Sequence, residues 1–168
     1  MEAENLTVAF VIPYEPMGKE RPRAYSCHGH TQVYTPYKTR EYEEMIKTIY
    51  SLQVGHKRFP DDSQIFLEII ACFPIPKSTS KAKRKMMLDG DILPRKKPDY
   101  DNIAKIITDA LNGVAYKDDS QIVWADIRKK YAKNPCVYVT LTSINLSEPY
   151  RRFVELFSNE KGETICQD

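Results

Sequence analysis

Residues 97–122 read KPDYDNIAKIITDALNGVAYKDDSQI. Beyond Asp99 the apolar residues recur at helical spacing, with successive side chains about 100° apart around the axis. The side of this helix expected to face a core carries Ile103, Ile106, Ile107 and Ala110. The stretch therefore predicts a helix over 98–112, closed by Gly113 as the residue after the C-cap and followed by a strand from Gln121.

The opposite side of this helix is polar and carries Asp101, Lys105, Thr108 and Asn112. Asp101 and Lys105 are neighbours one turn apart, and Asp99 stands just before them at the helix start. A helix followed by a short turn and a returning strand can bring Asp119 back towards Asp99 and Asp101. The pattern makes this convergence feasible without requiring it.

Three converging carboxylates and one lysine suit the hydrolysis of a phosphodiester. Carboxylate oxygens are hard ligands that favour Mg²⁺ or Mn²⁺. A bound metal ion activates water and stabilises the charge that develops on phosphate, and a lysine ammonium offsets the same charge. Such a reaction needs no nucleophile from the protein.

A purely structural interpretation of the same residues stays open at this point. Aspartate is favoured at a helix start by capping and by the helix dipole. Asp101 and Lys105 could form an ordinary surface pair that contributes about 0.2–0.5 kcal/mol, and 118–120 could be only a turn. An EF-hand is excluded, because the acidic loop lacks its sixth-position glycine and terminal glutamate.

The rest of the chain alternates strand and helix signals. We predict strands over 6–13, 31–34, 64–73, 121–131 and 136–144, with a loop over 17–30 and a basic loop over 93–98. A helix begins with Thr35 as N-cap and Pro36 as its first residue, and its core stripe is Tyr42, Met45, Ile46, Ile49 and Leu52. Short helices are expected over 80–88 and 150–157. The fold class is α/β (α+β), a single domain with a mixed β-sheet flanked by helices.

Composition fits one folded domain, because 168 residues are too few for two comfortable domains. No apolar run approaches the roughly 20 residues that cross a bilayer, and the acidic N-terminus argues against a secretory signal. A cytoplasmic location follows, with Cys27, Cys72, Cys136 and Cys166 expected as reduced thiols. The run CHGH at 27–30 could be half of a zinc site, but the sequence has no second cluster to complete it.

The net charge of +2 hides an uneven distribution. Residues 77–97 contain eight basic residues and two acidic ones, a local charge of +6. Such a stretch is typical of phosphate contacts, although a solvated surface would also account for it.

The run P-D-x-D-N-x-x-K-x-x-x-D-A-L-N-G, followed by D-D-S-Q-I, resembles the RusA family of phage and bacterial Holliday-junction resolvases. The segments GKERPR at 18–23, YTP at 34–36 and KTREY at 38–42 are similar to the family's N-terminal half. The resemblance covers roughly residues 6–144. It divides the chain into a RusA-like endonuclease domain over 1–146 and a C-terminal extension over 147–168.

The resemblance implies roles for individual residues. Asp99, Asp101 and Asp119 match the catalytic, metal-binding aspartates, Lys105 matches the catalytic lysine, and Asp118 adjoins the last aspartate as a further metal candidate. It implies Mg²⁺ as cofactor, with Mn²⁺ as a substitute. It also implies a homodimer that resolves four-way DNA junctions by paired symmetric nicks in recombination and repair, and a prophage origin would fit. A two-fold dimer suits this task, since each subunit can address one of two related strands.

Two basic segments are candidates for contacts to the DNA backbone, on the evidence of charge. They supply Lys19, Arg21, Arg23, Arg95, Lys96 and Lys97. Two other functions stay open: a less selective nuclease acting on flaps or forks, and a non-catalytic architectural protein that binds junctions.

The pentapeptide DDSQI occurs twice, at 61–65 and at 118–122. Both copies precede a predicted strand, so the shared sequence could be a strand-entry turn. Only the second copy follows the acidic helix, and we therefore expect Asp119, and not Asp62, to be needed for cleavage.

Overall fold

The computed structural model describes residues 6–27 and 30–144. Its strands are β1 (Thr7–Ile12), β2 (Arg23–Cys27), β3 (His30–Tyr34), β4 (Ile65–Pro74), β5 (Ile122–Ala132) and β6 (Cys136–Ser143). Its helices are α1 (Tyr37–Val54), α2 (Lys81–Asp89) and α3 (Tyr100–Leu111), with a short 3₁₀ turn over Asp119–Gln121. The predicted extension from residue 147 and the helix over 150–157 lie outside the described residues.

The main sheet has four strands in the order β1-β6-β4-β5. The β4–β5 pair is parallel, whereas β6 runs antiparallel to both β1 and β4. Apolar residues at alternate positions of β4 are buried, as period-two patterning requires. The structure is a single α+β domain with a mixed sheet and three helices, as predicted.

One hydrophobic core joins this sheet to α1 and α3. The predicted inner side of α3 is buried in full, with Ile103, Ile106, Ile107 and Ala110 at most 1% exposed. Burying a large aliphatic side chain contributes about 1.5–3 kcal/mol. The core therefore fixes the rotation of α3 and holds its polar side towards solvent.

Two predicted details of α1 are wrong. The helix begins at Tyr37, and its N-cap is Pro36 in an extended conformation, without a side-chain cap from Thr35. Leu52 is 80% exposed, while Tyr50 is buried and donates its hydroxyl to the Lys57 carbonyl at 2.7 Å. The reason is helix geometry, since Leu52 lies about 120° around the axis from the buried Ile46.

Part of the segment predicted as a loop over 17–30 is a strand. β2 pairs with β3 in a separate two-stranded antiparallel sheet, which we call the ribbon. The strand β2 was not predicted, because a ribbon exposed on both faces has no alternation of apolar and polar residues.

Within the described chain, no helix is both long and apolar enough to cross a bilayer. Cys72 and Cys136 are free thiols, as predicted, and face each other across the β4–β6 pair.

Candidate active site

The start of α3 presents two aspartates whose carboxylates are not used by the helix itself. Asp99 is the N-cap, and its carbonyl accepts from the Ile103 amide at 3.1 Å, but its side chain makes no capping hydrogen bond. Asp101 lies exposed in the first turn, where its Oδ1 is 3.5 Å from the Asn102 amide nitrogen. Neither carboxylate pairs with a cation in the part of the chain described. Capping therefore does not explain the side chain of Asp99.

Lys105 forms its ion pair with Asp109 and not with Asp101. Its Nζ lies 3.2 Å from Asp109 Oδ1, one turn further along α3. The interpretation of Asp101 and Lys105 as an ordinary surface pair is therefore wrong. The Lys105 side chain is 59% exposed, so its ammonium is free to turn towards a phosphate. Breaking the ion pair with Asp109 would cost only about 0.3–0.5 kcal/mol.

Lys19 makes contacts within the protein that the sequence did not indicate. Its Nζ lies 3.0 Å from Asp109 Oδ2 and also pairs with Glu43 of α1, so it bridges α1 and α3. Burial alone would lower the pKa of Lys19, but hydrogen bonds to Glu43 and Asp109 outweigh it and raise the pKa. These contacts give Lys19 a structural role in the described chain, and its contact with the DNA backbone stays a prediction.

The segment around Gly18 packs directly on the start of α3. The Lys19 amide donates to the Asn102 carbonyl at 2.8 Å. A Cβ on Gly18 would lie 2.7 Å from Pro98 Cβ and 3.1 Å from Asn102 Cβ, so only glycine fits here. Residues 16–20, 97–99 and Asn102 therefore line one groove, with Asp99 in its wall.

The two aspartates after α3 have different environments. Asp118 is the N-cap of the 3₁₀ turn and accepts from the Ser120 amide at 3.0 Å, and hydrogen bonding to Ser120 lowers the pKa of Asp118. Asp119 is half-buried, with no ion pair to any described cation. The pKa of Tyr116 is raised mainly by burial, and further by the negative charges of Asp119 and Asp109. The Tyr116 hydroxyl donates to the Thr108 carbonyl at 2.9 Å, which ties this segment to the second half of α3.

No three His, Cys, Asp or Glu side chains in the described ranges form a group that could hold a metal ion. The predicted convergence of Asp99, Asp101 and Asp119 on one ion is therefore not formed within a single chain. The donor chemistry nevertheless fits Mg²⁺, which proteins commonly bind through one or two carboxylates together with waters and substrate phosphates. Asp99 and Asp101 provide such a pair of unpaired carboxylates at the helix start.

The two DDSQI copies lie side by side. Ile65 and Ile122 are partners in the parallel β4–β5 pair. Gln121 bridges the copies: its Nε2 donates to the Pro60 and Ser63 carbonyls at 2.8 and 3.3 Å, and its Oε1 accepts from the Lys117 amide at 2.8 Å. Sequence reasoning missed this anchor, although the repeated pentapeptide was the available signal.

The basic side chains beside the site are mostly exposed. Arg21, Arg95, Lys96 and Lys97 face solvent, and Arg23 lies 3.3 Å from Glu20. Lys129 of β5, which the sequence did not single out, donates to the Lys96 and Pro98 carbonyls at 2.6 and 2.9 Å. It therefore fixes the basic loop immediately before Asp99.

An α+β domain with free carboxylates at a helix start, beside basic loops, is compatible with the chemistry of phosphodiester cleavage. The family profile described as "Endodeoxyribonuclease RusA" matches residues 13–142. The chain is also 30% identical over 143 residues to the "Uncharacterized protein YqaN" of Bacillus subtilis (strain 168), an alignment that covers 82% of this chain and 97% of YqaN.

The chain therefore belongs to the RusA endodeoxyribonuclease family. This confirms the resemblance seen in the acidic motifs. Nucleases of this family act on branched DNA junctions and depend on divalent metal ions.

Proposed function

We propose that this protein resolves four-way DNA junctions by paired symmetric nicks that require Mg²⁺, with Mn²⁺ as a substitute. The observation that carries the proposal is the start of α3, where a family-matching motif leaves Asp99 and Asp101 without an ionic partner among residues 6–27 and 30–144. Aspartates kept for folding alone would be expected to cap the helix or pair with a neighbouring cation.

Asp99 and Asp101 would hold the metal at the start of α3. Since the described chain does not by itself bring Asp119 to them, Asp119 would join this pair in the DNA-bound homodimer, with Asp118 as a further candidate whose carboxylate also caps the 3₁₀ turn. The metal would supply Lewis-acid activation of water and neutralisation of phosphate charge. Lys105 is the mobile cation of the site. Its exposed ammonium moves from Asp109 to the scissile phosphate, where it offsets the charge added by water attack.

DNA binding in this proposal uses Arg21, Arg23 and the loop of Arg95, Lys96 and Lys97, which adjoin in sequence the two segments that line the groove next to Asp99. Contacts of this kind position the DNA backbone without reading sequence. A homodimer would place two such sites on related strands of the junction. We further propose a cytoplasmic role in recombination and repair, carried by residues 1–146, with 147–168 as an extension.

The duplicated pentapeptide provides a matched test. Asp119→Asn should lower the rate of junction cleavage by at least about 100-fold, the scale of losing one transition-state contact. Asp62→Asn changes the same position of the first copy, which is exposed and outside the site, and should keep the rate within about threefold of wild type. Initial rates on a labelled four-way junction in Mg²⁺ give the comparison, with urea unfolding to show that both variants are folded.

Equal loss of cleavage in both folded variants would contradict the site assignment. Parallel reactions with a flap and a linear duplex distinguish a junction resolvase from a less selective branched-DNA nuclease. Tight junction binding by wild type without nicking in Mg²⁺ or Mn²⁺ would identify an architectural protein.

A further inference from the structure

The ribbon of β2 and β3 stands apart from the main sheet. Its strands pair only with each other in the described structure, and all five residues of β3 are exposed. Two of its tyrosines, Tyr25 and Tyr34, are 58% and 48% exposed. Aromatic rings placed so openly contribute little to folding, and this suggests that they bind something else.

The register of the ribbon separates two different faces. Arg23 lies opposite Tyr34, and Tyr25 lies opposite Gln32. Directly opposed residues share a face, so one face combines a cation, two phenol rings and an amide. We call it the tyrosine face. The other face pairs Ala24 with Val33 and Ser26 with Thr31, all uncharged.

The charge of the surrounding chain favours a polyanion as the partner. From Arg21 to Lys38 the sequence has no Asp or Glu, although the whole chain has 23 acidic residues. The same stretch contains two arginines, one lysine and two histidines. An interface between copies of the chain has no need to exclude acidic residues, whereas a surface for nucleic acid does.

The position of the ribbon connects it to the acidic site. β2 begins four residues after Lys19, whose amide is hydrogen-bonded to the Asn102 carbonyl at 2.8 Å, one residue beyond Asp101. A second depression at the base of the ribbon is lined by Glu20, Arg23, Tyr34, Pro36, Tyr37 and Lys38. A nucleic acid strand lying on the tyrosine face can therefore continue into the groove that contains Asp99.

We propose that the tyrosine face binds DNA at the branch point, with Tyr25 and Tyr34 stacked on unpaired or unstacked bases and Arg23 on an adjacent phosphate. Exposed aromatic rings stack on any base, and an arginine beside them neutralises the backbone. A continuous duplex hides its base faces, so this surface discriminates in favour of branches. The inference deepens the proposed function by naming what recognises the branch.

The test measures DNA binding in EDTA, where no cleavage occurs. Tyr25→Ala and Tyr34→Ala should each weaken binding of a four-way junction by about 5- to 100-fold, the equivalent of one base–aromatic stack. Binding of a linear duplex should change by less than about threefold. Tyr25→Phe and Tyr34→Phe should retain junction binding, because the ring and not the hydroxyl does the stacking.

Thr31→Ala and Val33→Ala are the matched controls, since they change adjacent register positions on the opposite face. They should keep junction binding within about twofold. In wild type, 2-aminopurine at the branch should show altered fluorescence on binding, and the change should be absent in the two tyrosine-to-alanine variants.

Three results would overturn the inference: unchanged junction binding in both alanine variants, equal weakening for junction and duplex, or conversion of a dimer to a monomer without DNA. The last, seen by sedimentation velocity, would make the face an interface between copies of the chain. Because binding is measured without metal, failure of the nuclease proposal appears separately, as the absence of nicking in Mg²⁺.

Discussion

Replacing Lys19 with methionine tests how α1 and α3 are held together beside the site. The Lys19 ammonium pairs with Glu43 of α1 and lies 3.0 Å from Asp109 Oδ2 of α3. The three side chains are only 16–22% exposed. Methionine keeps most of the aliphatic stem and removes the charge. Asp109 then retains Lys105, but Glu43 loses its cationic partner within the described structure.

The expected destabilisation lies between two known limits. Removing one partner of a fully buried pair costs about 3–5 kcal/mol, and an exposed pair is worth about 0–1 kcal/mol. With about four-fifths of each side chain buried and one carboxylate left unpaired, we expect Lys19→Met to lower the free energy of unfolding by about 1.5–3 kcal/mol.

Urea unfolding followed by circular dichroism measures this loss as a lower midpoint with an unchanged slope. Lys47→Met is the matched control, because Lys47 pairs with Glu44 on the same helix with 38% and 70% exposure. It should cost less than about 0.5 kcal/mol. A difference of less than about 0.5 kcal/mol between the two variants would refute the reasoning.

The pH dependence follows from the raised pKa of Lys19. A group whose pKa is raised on folding stabilises the native state in full at pH values below its unfolded pKa, here 10.5. This stabilisation is lost as the pH rises through the folded pKa. The difference between wild type and Lys19→Met should therefore be constant from about pH 7 to 9, shrink as the pH rises above 10.5, and be lost once the pH exceeds the folded pKa.

Three further predictions concern the surroundings of the site. Gln121→Ala should cost about 1–3 kcal/mol in urea unfolding, because it removes the hydrogen bonds of a buried side chain to three backbone groups. Gln64→Ala, at the exposed equivalent position of the first DDSQI copy, should cost under about 0.5 kcal/mol, and similar costs for the two variants would contradict the bridge. Gly18→Ala should slow junction cleavage at least about tenfold, because its Cβ would lie 2.7 Å from Pro98 Cβ and push the groove apart; a wild-type rate would show that the contact is unimportant. Burial raises the pKa of Cys72 to about 11, so its alkylation at pH 8 should be roughly 100-fold slower than that of a model thiol, and equal rates by mass spectrometry would contradict its burial.

The elements that the sequence predicted well are those with one buried side. The apolar residues of α3 follow helical spacing because every one of them contacts the core. β4 was recognised as a strand because its sequence is an apolar run interrupted only by Glu68 and half or more of its residues are buried. The strand β2 has no buried side, so its residues carry no periodic signal.

The ionic partners in the site were less predictable, because they depend on how separate elements pack. Lys105 has Asp101 one turn before it and Asp109 one turn after it, and spacing alone does not choose between them. In the structure Lys105 pairs with Asp109. Asp109 also pairs with Lys19, which in turn pairs with Glu43 of α1. The bridge made by Lys19 was not predicted because the sequence does not show that two carboxylates surround it.

Cleavage of a synthetic four-way junction by wild type and Asp101→Asn, each with and without Mg²⁺, tests the central claim most directly. Asp101 is exposed and unpaired among the described residues, so the substitution should leave the fold intact. We expect wild type to make paired nicks at symmetric positions in Mg²⁺ only, and Asp101→Asn to bind the junction without nicking it. Wild-type binding without any nick in Mg²⁺ or Mn²⁺, or full cleavage by Asp101→Asn, would contradict the account.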